Sequence, residues 1–306
     1  MNVPKNKAGL KLERQLVLEG HLSSVYTLAD LTGSRDFISG GGDGWLVRWN
    51  KYGEENHGRL IAQVEGKVFS SAYIADKQWL LAGDMAGHLY WIDLVENAVM
   101  KRQILHKGSV FSIKVIGEYI YTCGADGVLC RSQIEKMLPD TSLQLSRQGL
   151  RCLEKVENTL WVGGSDGGIR ILDIDTLEVV NEIPKAHQNT VFSLYYNGKE
   201  QVFSGGRDAM LTLWDTSKLR LRLSVPAHWY TVNAITGIGE NVLLTGSRDK
   251  AVRLWSQEDL TLLYAADVFK EGHIRSVNCA LYLPESGLVA TAGDDRTIIL
   301  WKLSEQ

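Results

Sequence analysis

One phrase recurs seven times, and it constrains the fold more than any other property of the chain. It reads "FISGGGDGWLVRWN" up to Asn50, "LLAGDMAGHLYWID" up to Asp93, "YTCGADGVLCRSQ" up to Gln133 and "WVGGSDGGIRILD" up to Asp173. It returns as "VFSGGRDAMLTLWD" up to Asp215, "LLTGSRDKAVRLWS" up to Ser256 and "VATAGDDRTIILWK" up to Lys302. Aligned six residues after the turn-Asp position, the markers are Trp49, Ile92, Ser132, Leu172, Trp214, Trp255 and Trp301, spaced by 43, 40, 40, 42, 41 and 46 residues. A period of about 40–45 residues suits a unit of four short strands, which cannot bury its apolar face alone and must stack on its neighbours.

A second, strand-like phrase lies upstream. It appears as "HLSSVYTL" from His21, "HKGSVFSI" from His106, "HQNTVFSL" from His187, "HWYTVNAI" from His228 and "HIRSVNCA" from His273. The second and fourth copies lack the histidine and read "VEGKVFSS" and "SRQGLRCL". No long segment has helical period, and short apolar or alternating runs bounded by Gly/Asp turns imply an all-β chain. The turns "GGDG", "GADG" and "GSDG" suit tight hairpins, because glycine accepts positive φ.

On these motifs the chain resembles WD-repeat β-propeller proteins over about residues 14–303. The resemblance implies a seven-bladed β-propeller of four-stranded antiparallel blades, closed by the N-terminal strand pairing with the last blade. Arg14–Leu18 is expected to be that strand, because only five residues follow Trp301. Residues 1–10 are expected as a flexible tail, and 11–306 as a single domain.

Composition narrows the function classes. Lys plus Arg is 33 and Asp plus Glu is 36, a formal net charge of -3, so no global basic excess drives non-specific nucleic-acid binding. No apolar run of about 18 residues exists to span a bilayer. The start "MNVPKNKAGLKLERQ" lacks the apolar core of a secretory signal. Four cysteines in 306 residues are too few for a disulfide framework and point to a reducing, cytoplasmic setting.

Several repeats hold a His, a Ser or Thr and an Asp: His21, Ser39, Asp43; His106, Thr122, Asp126; His187, Ser204, Asp208; His228, Thr245, Asp249; and His273, Thr291, Asp295. A hydrolase triad is rejected, since an enzyme needs one nucleophile rather than five and no G-x-S-x-G elbow is present. Four of the sets carry a Trp ten residues after the hydroxyl: Trp49, Trp214, Trp255 and Trp301. The family resemblance implies a structural network in which indole, hydroxyl, imidazole and carboxylate bond in series. Blade two has Val64, Ala82, Ala86 and Ile92 at these places, and blade four has Ser146, Val162, Asp166 and Leu172. Both are expected to rely on apolar packing and to be the least well tied.

No metal site and no cofactor are expected. Cys123 and Cys130 lie on facing strands with opposite side-chain parity. Cys152 and Cys279 read as small core residues, and five of the seven histidines belong to the network.

The resemblance places partner binding on the narrow face, at the third and fifth residues after the His and the residue before the Asp. The residues singled out there are Tyr26, Lys67, Phe69, Met85, Phe111, Arg151, Phe192, Arg207, Arg248 and Asp294, with Trp229 and Tyr230 nearby. Aromatics and arginines at positions expected to face solvent suit an interaction surface. The expected function is a non-catalytic scaffold for a protein or peptide, an acidic or phosphorylated segment being favoured. The ring is expected to be monomeric within a larger complex. The alternatives are a nucleic-acid or lipid-headgroup binder using the basic arc and, less favoured still, a channel-site enzyme.

Overall fold

Each repeat folds into one four-stranded antiparallel sheet, and the computed structural model, which describes residues 9–305, contains seven of them. Blade six is representative, with strands Val232–Ile238, Val242–Ser247, Val252–Ser256 and Leu262–Ala266 from the axis outward. The second strand of every blade is buried on both faces except at its first residues, which is why it reads as a continuous apolar and glycine run. The outer strands of blades two, three and five are largely exposed. The turn of 3-10 helix at Val268–Lys270 is the only helix among the described residues.

The apolar residues gather into seven clusters, one at each seam between neighbouring blades. Leu46 and Leu80 share the seam of blades one and two, and Leu211 and Leu243 that of blades five and six. Trp301 packs in the cluster joining blades six and seven, and Trp49 in the cluster joining seven and one. Every unit is thus buried by its neighbours.

Closure uses the strand Leu10–Glu19, paired antiparallel with Thr297–Glu305. It extends beyond the expected Arg14–Leu18 because Leu10 and Leu12 join the seam of blades six and seven. A register shift between Arg14 and Leu16 accommodates the longer pairing. The remainder of the expected tail, residues 1–8, lies outside the described residues.

Each inner strand carries a β-bulge at the same place. Pairing skips from Val25 to Thr27, Val68 to Ser70, Val110 to Ser112, Leu150 to Cys152, Val191 to Ser193, Val232 to Ala234 and Val277 to Cys279. The skipped residues are Tyr26, Phe69, Phe111, Arg151, Phe192, Asn233 and Asn278. A bulge frees one residue from the ladder and re-aims its side chain. All seven line the central channel.

Hydrogen bonds join neighbouring inner strands at every seam. Ser70 donates to Val110 O, Ser193 to Val232 O, Asn233 to Val277 O and Asn278 to Val25 O. Cys152 donates to Val191 O, the Leu153 N–H to Ser112 Oγ, and Thr27 bonds Ser71.

Candidate partner-binding face

The turn between the second and third strands of each blade must satisfy backbone donors close to the buried histidine loop. In blade six, Trp255 Nε1 donates to Thr245 Oγ1 at 2.8 Å, Thr245 bonds His228 Nε2 at 2.8 Å, and His228 Nδ1 meets Asp249 at 3.0 Å. Asp249 also accepts the N–H groups of Trp229 and Ala251. Burial opposes its charge, yet the bonds from His228 and those two N–H groups hold its carboxyl down at about 2. Burial also lowers the pKa of His228 and of His106, against the pull of their aspartates.

The chain Trp–Ser/Thr–His–Asp is formed in blade one by Trp49, Ser39, His21 and Asp43. Blade five uses Trp214, Ser204, His187 and Asp208, and blade seven uses Trp301, Thr291, His273 and Asp295. Blade three has His106, Thr122 and Asp126 without the indole. There Ser132 stands at the Trp position, and its buried hydroxyl has no hydrogen-bond partner among the described residues. Trp91 of blade two packs in the cluster that holds Ile120 and Ile134, the residues flanking Ser132 in space and in sequence. The large side chain at this seam therefore comes from the opposite blade.

Blade two corrects the expectation of apolar packing alone. Asp84, 1% exposed, bonds His88 Nδ1 at 2.8 Å, the Tyr90 hydroxyl at 3.1 Å and the N–H groups of Ala86 and His88. Arg102 donates to His88 Nε2, so that nitrogen is the unprotonated acceptor. Burial, with the Asp84 charge behind it, pushes the Tyr90 phenol up to about 12. Asp84 stands where blade one has Gly41, at which an added Cβ would approach Asp43 Oδ1 and His21 Nδ1 to 2.8 Å. A side chain on that residue enters the space of the missing Asp–His pair. Blade four departs from the expectation too: Arg170 meets Asp166 at 2.6 Å, and Ser146 donates to Asp166 at 3.1 Å. The Asp166 side chain is 26% exposed against 6% for Asp249, because serine is too short to cover it as histidine does.

At the channel mouth the bulged side chains form an arc across five blades. Tyr26 and Phe69 lie 4.9 Å apart by ring centroid, and Phe69 and Phe111 5.9 Å. The Arg151 guanidinium sits 3.9 Å over Phe111 and 5.2 Å from Phe192. The rings are half-buried in the channel wall rather than turned to open solvent, since neighbouring blades bring them into contact. Arg151 donates through Nε to Ser165 Oγ, which leaves its terminal nitrogens for another partner. No carboxylate pairs with it among the described residues. Burial and, to a lesser degree, the charge of Arg207 disfavour its protonated form.

The other expected face residues are spread more widely. Lys67, Met85 and Arg207 are exposed on the same face. Arg248 lies 5.9 Å from the Tyr230 ring, toward the rim. Asp294 is engaged by Asn278 Nδ2 at 2.8 Å. Asn233 and Asn278 close seams, as described above.

Comparison with known proteins agrees with this architecture. The "WD domain, G-beta repeat" family model matches residues 220–256 and 267–302. The THO complex subunit 6 homolog of Danio rerio is 24% identical over 184 residues, covering 53% of this chain and 55% of that protein. The pre-mRNA-splicing factor cwf17 of Schizosaccharomyces pombe is 24% identical over 191 residues, covering 58% and 53%. The matches thus span about half the length of these curated relatives. The WD40 β-propeller domain of Doa1 superposes with a TM-score of 0.84 at 18% identity, covering 95% of this chain and 97% of that one. Two of the repeats thus match the WD-domain family model, and the seven four-stranded sheets closed by the N-terminal strand make the chain a seven-bladed β-propeller.

Proposed function

We propose that this protein is a non-catalytic interaction scaffold whose narrow face takes an acidic or phosphorylated segment of a partner protein. The observation that carries the reading is Arg151: a half-buried cation between two aromatic rings, with no counter-ion among the described residues and two terminal nitrogens left for a ligand. Such a fork suits a bidentate oxyanion, and the ring arc beside it suits an apolar anchor. Inter-blade bonding holds the face rigid, so little entropy is lost on docking. The names of the relatives, a THO complex subunit and a splicing factor, fit a subunit that works inside an assembly.

The channel chemistry favours binding over catalysis. The five network histidines have both ring nitrogens engaged. Burial pushes the Cys152 thiol up to about 12 and raises Cys279 as well, so neither supplies a thiolate near neutrality. Among the described residues no group of three or more His, Cys, Asp or Glu could hold a metal ion, and no helix is long and apolar enough to cross a membrane. The four free cysteines fit the reducing, cytoplasmic setting inferred for the protein.

The test is affinity capture from the native source, quantified for wild type and for Arg151→Met and Phe192→Ala. Partners lost from both variants, and lost again after phosphatase or at raised salt, support the reading. An unchanged partner set overturns it.

A further inference from the structure

We propose a second docking surface, separate from the channel mouth, on the rim of blades six and seven, which takes an acidic segment of a partner protein bearing aliphatic or aromatic side chains. Four apolar side chains protrude there from two adjacent loops. Trp229 is 83% exposed and Phe269 93%, with Tyr230 and Ile274 also exposed. The first loop enters the inner strand of blade six, and the second runs from the outer strand of blade six to the inner strand of blade seven. Asn233 Nδ2 donates to Ser276 Oγ at 3.2 Å and so joins the ends of the two loops. The second loop accounts for the longest repeat spacing, 46 residues, and the extra length carries Phe269.

Single exposed apolar residues need no explanation, but large ones gathered on one rim mark an interaction site. The loop that lifts Phe269 is built rather than slack. Asp267 accepts the Phe269 N–H at 3.0 Å, and the Lys270 and Gly272 N–H groups bond Asp267 O. Arg14 of the closing strand holds Glu271 through its carbonyl and its carboxylate. A large ring fixed in water by this many bonds is preorganised for contact.

Charge selects the occupant. Arg248, Lys250, Arg275 and Arg296 are exposed on this rim, and none has a carboxylate partner among the described residues. The nearby aspartates are less exposed than these cations and already accept hydrogen bonds, Asp249 and Asp295 from histidines, Asp267 from the Phe269 N–H and Asp294 from Asn278, while Glu271 is paired with Arg14. The charge this rim presents to solvent is therefore mainly positive and lies beside the apolar prongs. A cleft of ≈ 450 Å³ carries the surface toward blade one; Ile274, Arg275 and Arg296 line it together with Asp294, Asp295 and two serines of blade one. An acidic, apolar peptide matches both features. An anionic membrane matches the prongs too, but the chain's net charge of -3 works against adsorption, and the fixed loop geometry favours a shaped protein partner.

The experiment selects short random peptides displayed on phage against the intact protein, with excess Trp229→Ser/Phe269→Ser double variant as soluble competitor. The expected peptides place aliphatic or aromatic residues beside Asp or Glu. Their affinity should fall about tenfold on Arg275→Ala/Arg296→Ala and stay unchanged on Arg151→Met, which separates this surface from the channel mouth. Melting of the surface variants should match wild type. No enrichment, enriched peptides without acids, or equal loss on Arg151→Met would overturn the proposal. So would Phe269-dependent flotation with phosphatidylcholine vesicles containing phosphatidylserine.

Discussion

Blades six and two meet the same demand with different residues. In blade six the carboxylate follows the turn rule, and Asp249 collects an imidazole and two N–H groups. In blade two the turn position is Ala86, and the carboxylate moves two residues back to Asp84. The Ala251 N–H of blade six and the His88 N–H of blade two occupy equivalent places, and each ends on a buried aspartate. The comparison teaches that the fold requires a buried acceptor at the turn, not a particular motif. A histidine supplies the bonding partner in both blades, from the preceding loop in one and from the third strand in the other. Blade four keeps the carboxylate but pairs it with Arg170 in a more open setting.

The largest effect that would break this comparison is expected at Asp249. Asp249→Ala orphans His228 and two N–H groups and should cost about 3 kcal/mol, read as a fall of several degrees in melting temperature. Asp84→Ala should cost nearly as much, about 2–3 kcal/mol, by the same logic. A silent Asp84→Ala would show that blade two is held by apolar packing after all.

Next comes the exchange of large side chains at the seam of blades two and three. Ser132→Trp restores the repeat pattern yet should destabilise by about 1–3 kcal/mol, because Trp91 already packs there. In a Trp91→Leu background the same change should cost less, which a double-mutant cycle by denaturant unfolding would measure.

Acidification should act in two windows. His228 and His106 have folded pKa values below the ordinary imidazole value of about 6.5. The native state therefore prefers them neutral. That contribution is complete above pH of about 6.5 and is lost as pH falls through the lower folded values. Asp249 is held at about 2, so its contribution is present above the ordinary carboxyl value and disappears as pH falls toward 2. Melting curves from neutral to pH of about 5 should decline, and His228→Gln should flatten the decline. The smallest effect is expected at Arg248→Ala, which leaves an exposed position and should shift melting by about 1 °C or less.

Much of this architecture was legible in the chain because it is periodic. The repeat of Asp, Ser/Thr, His and Trp lies at fixed offsets, so the blades, their number and the turn positions could be read directly. The residue five after the His was also legible as a position of interest, and the bulge explains why it faces the channel. What could not be read depends on contacts between distant residues. Asp84 looks like an ordinary strand residue until His88 and Tyr90 are seen around it. Trp91 substitutes for a Trp absent at Ser132 of the next blade, 41 residues on. Asn233 and Asn278 resemble face residues, yet they bond carbonyls of the following blade. The rim prongs had one sequence signal, the long last spacing, and it marks an insertion without revealing that Phe269 stands in water.

A structural network and a recognition face thus share the same loops. Their separation is tested most directly by measuring melting temperature and partner capture together for Arg151→Met and Asp249→Ala. Opposite outcomes are expected: Arg151→Met melts like wild type and loses the partner, while Asp249→Ala melts several degrees lower and still captures it below its transition. Variants that lose stability and capture in parallel would contradict it.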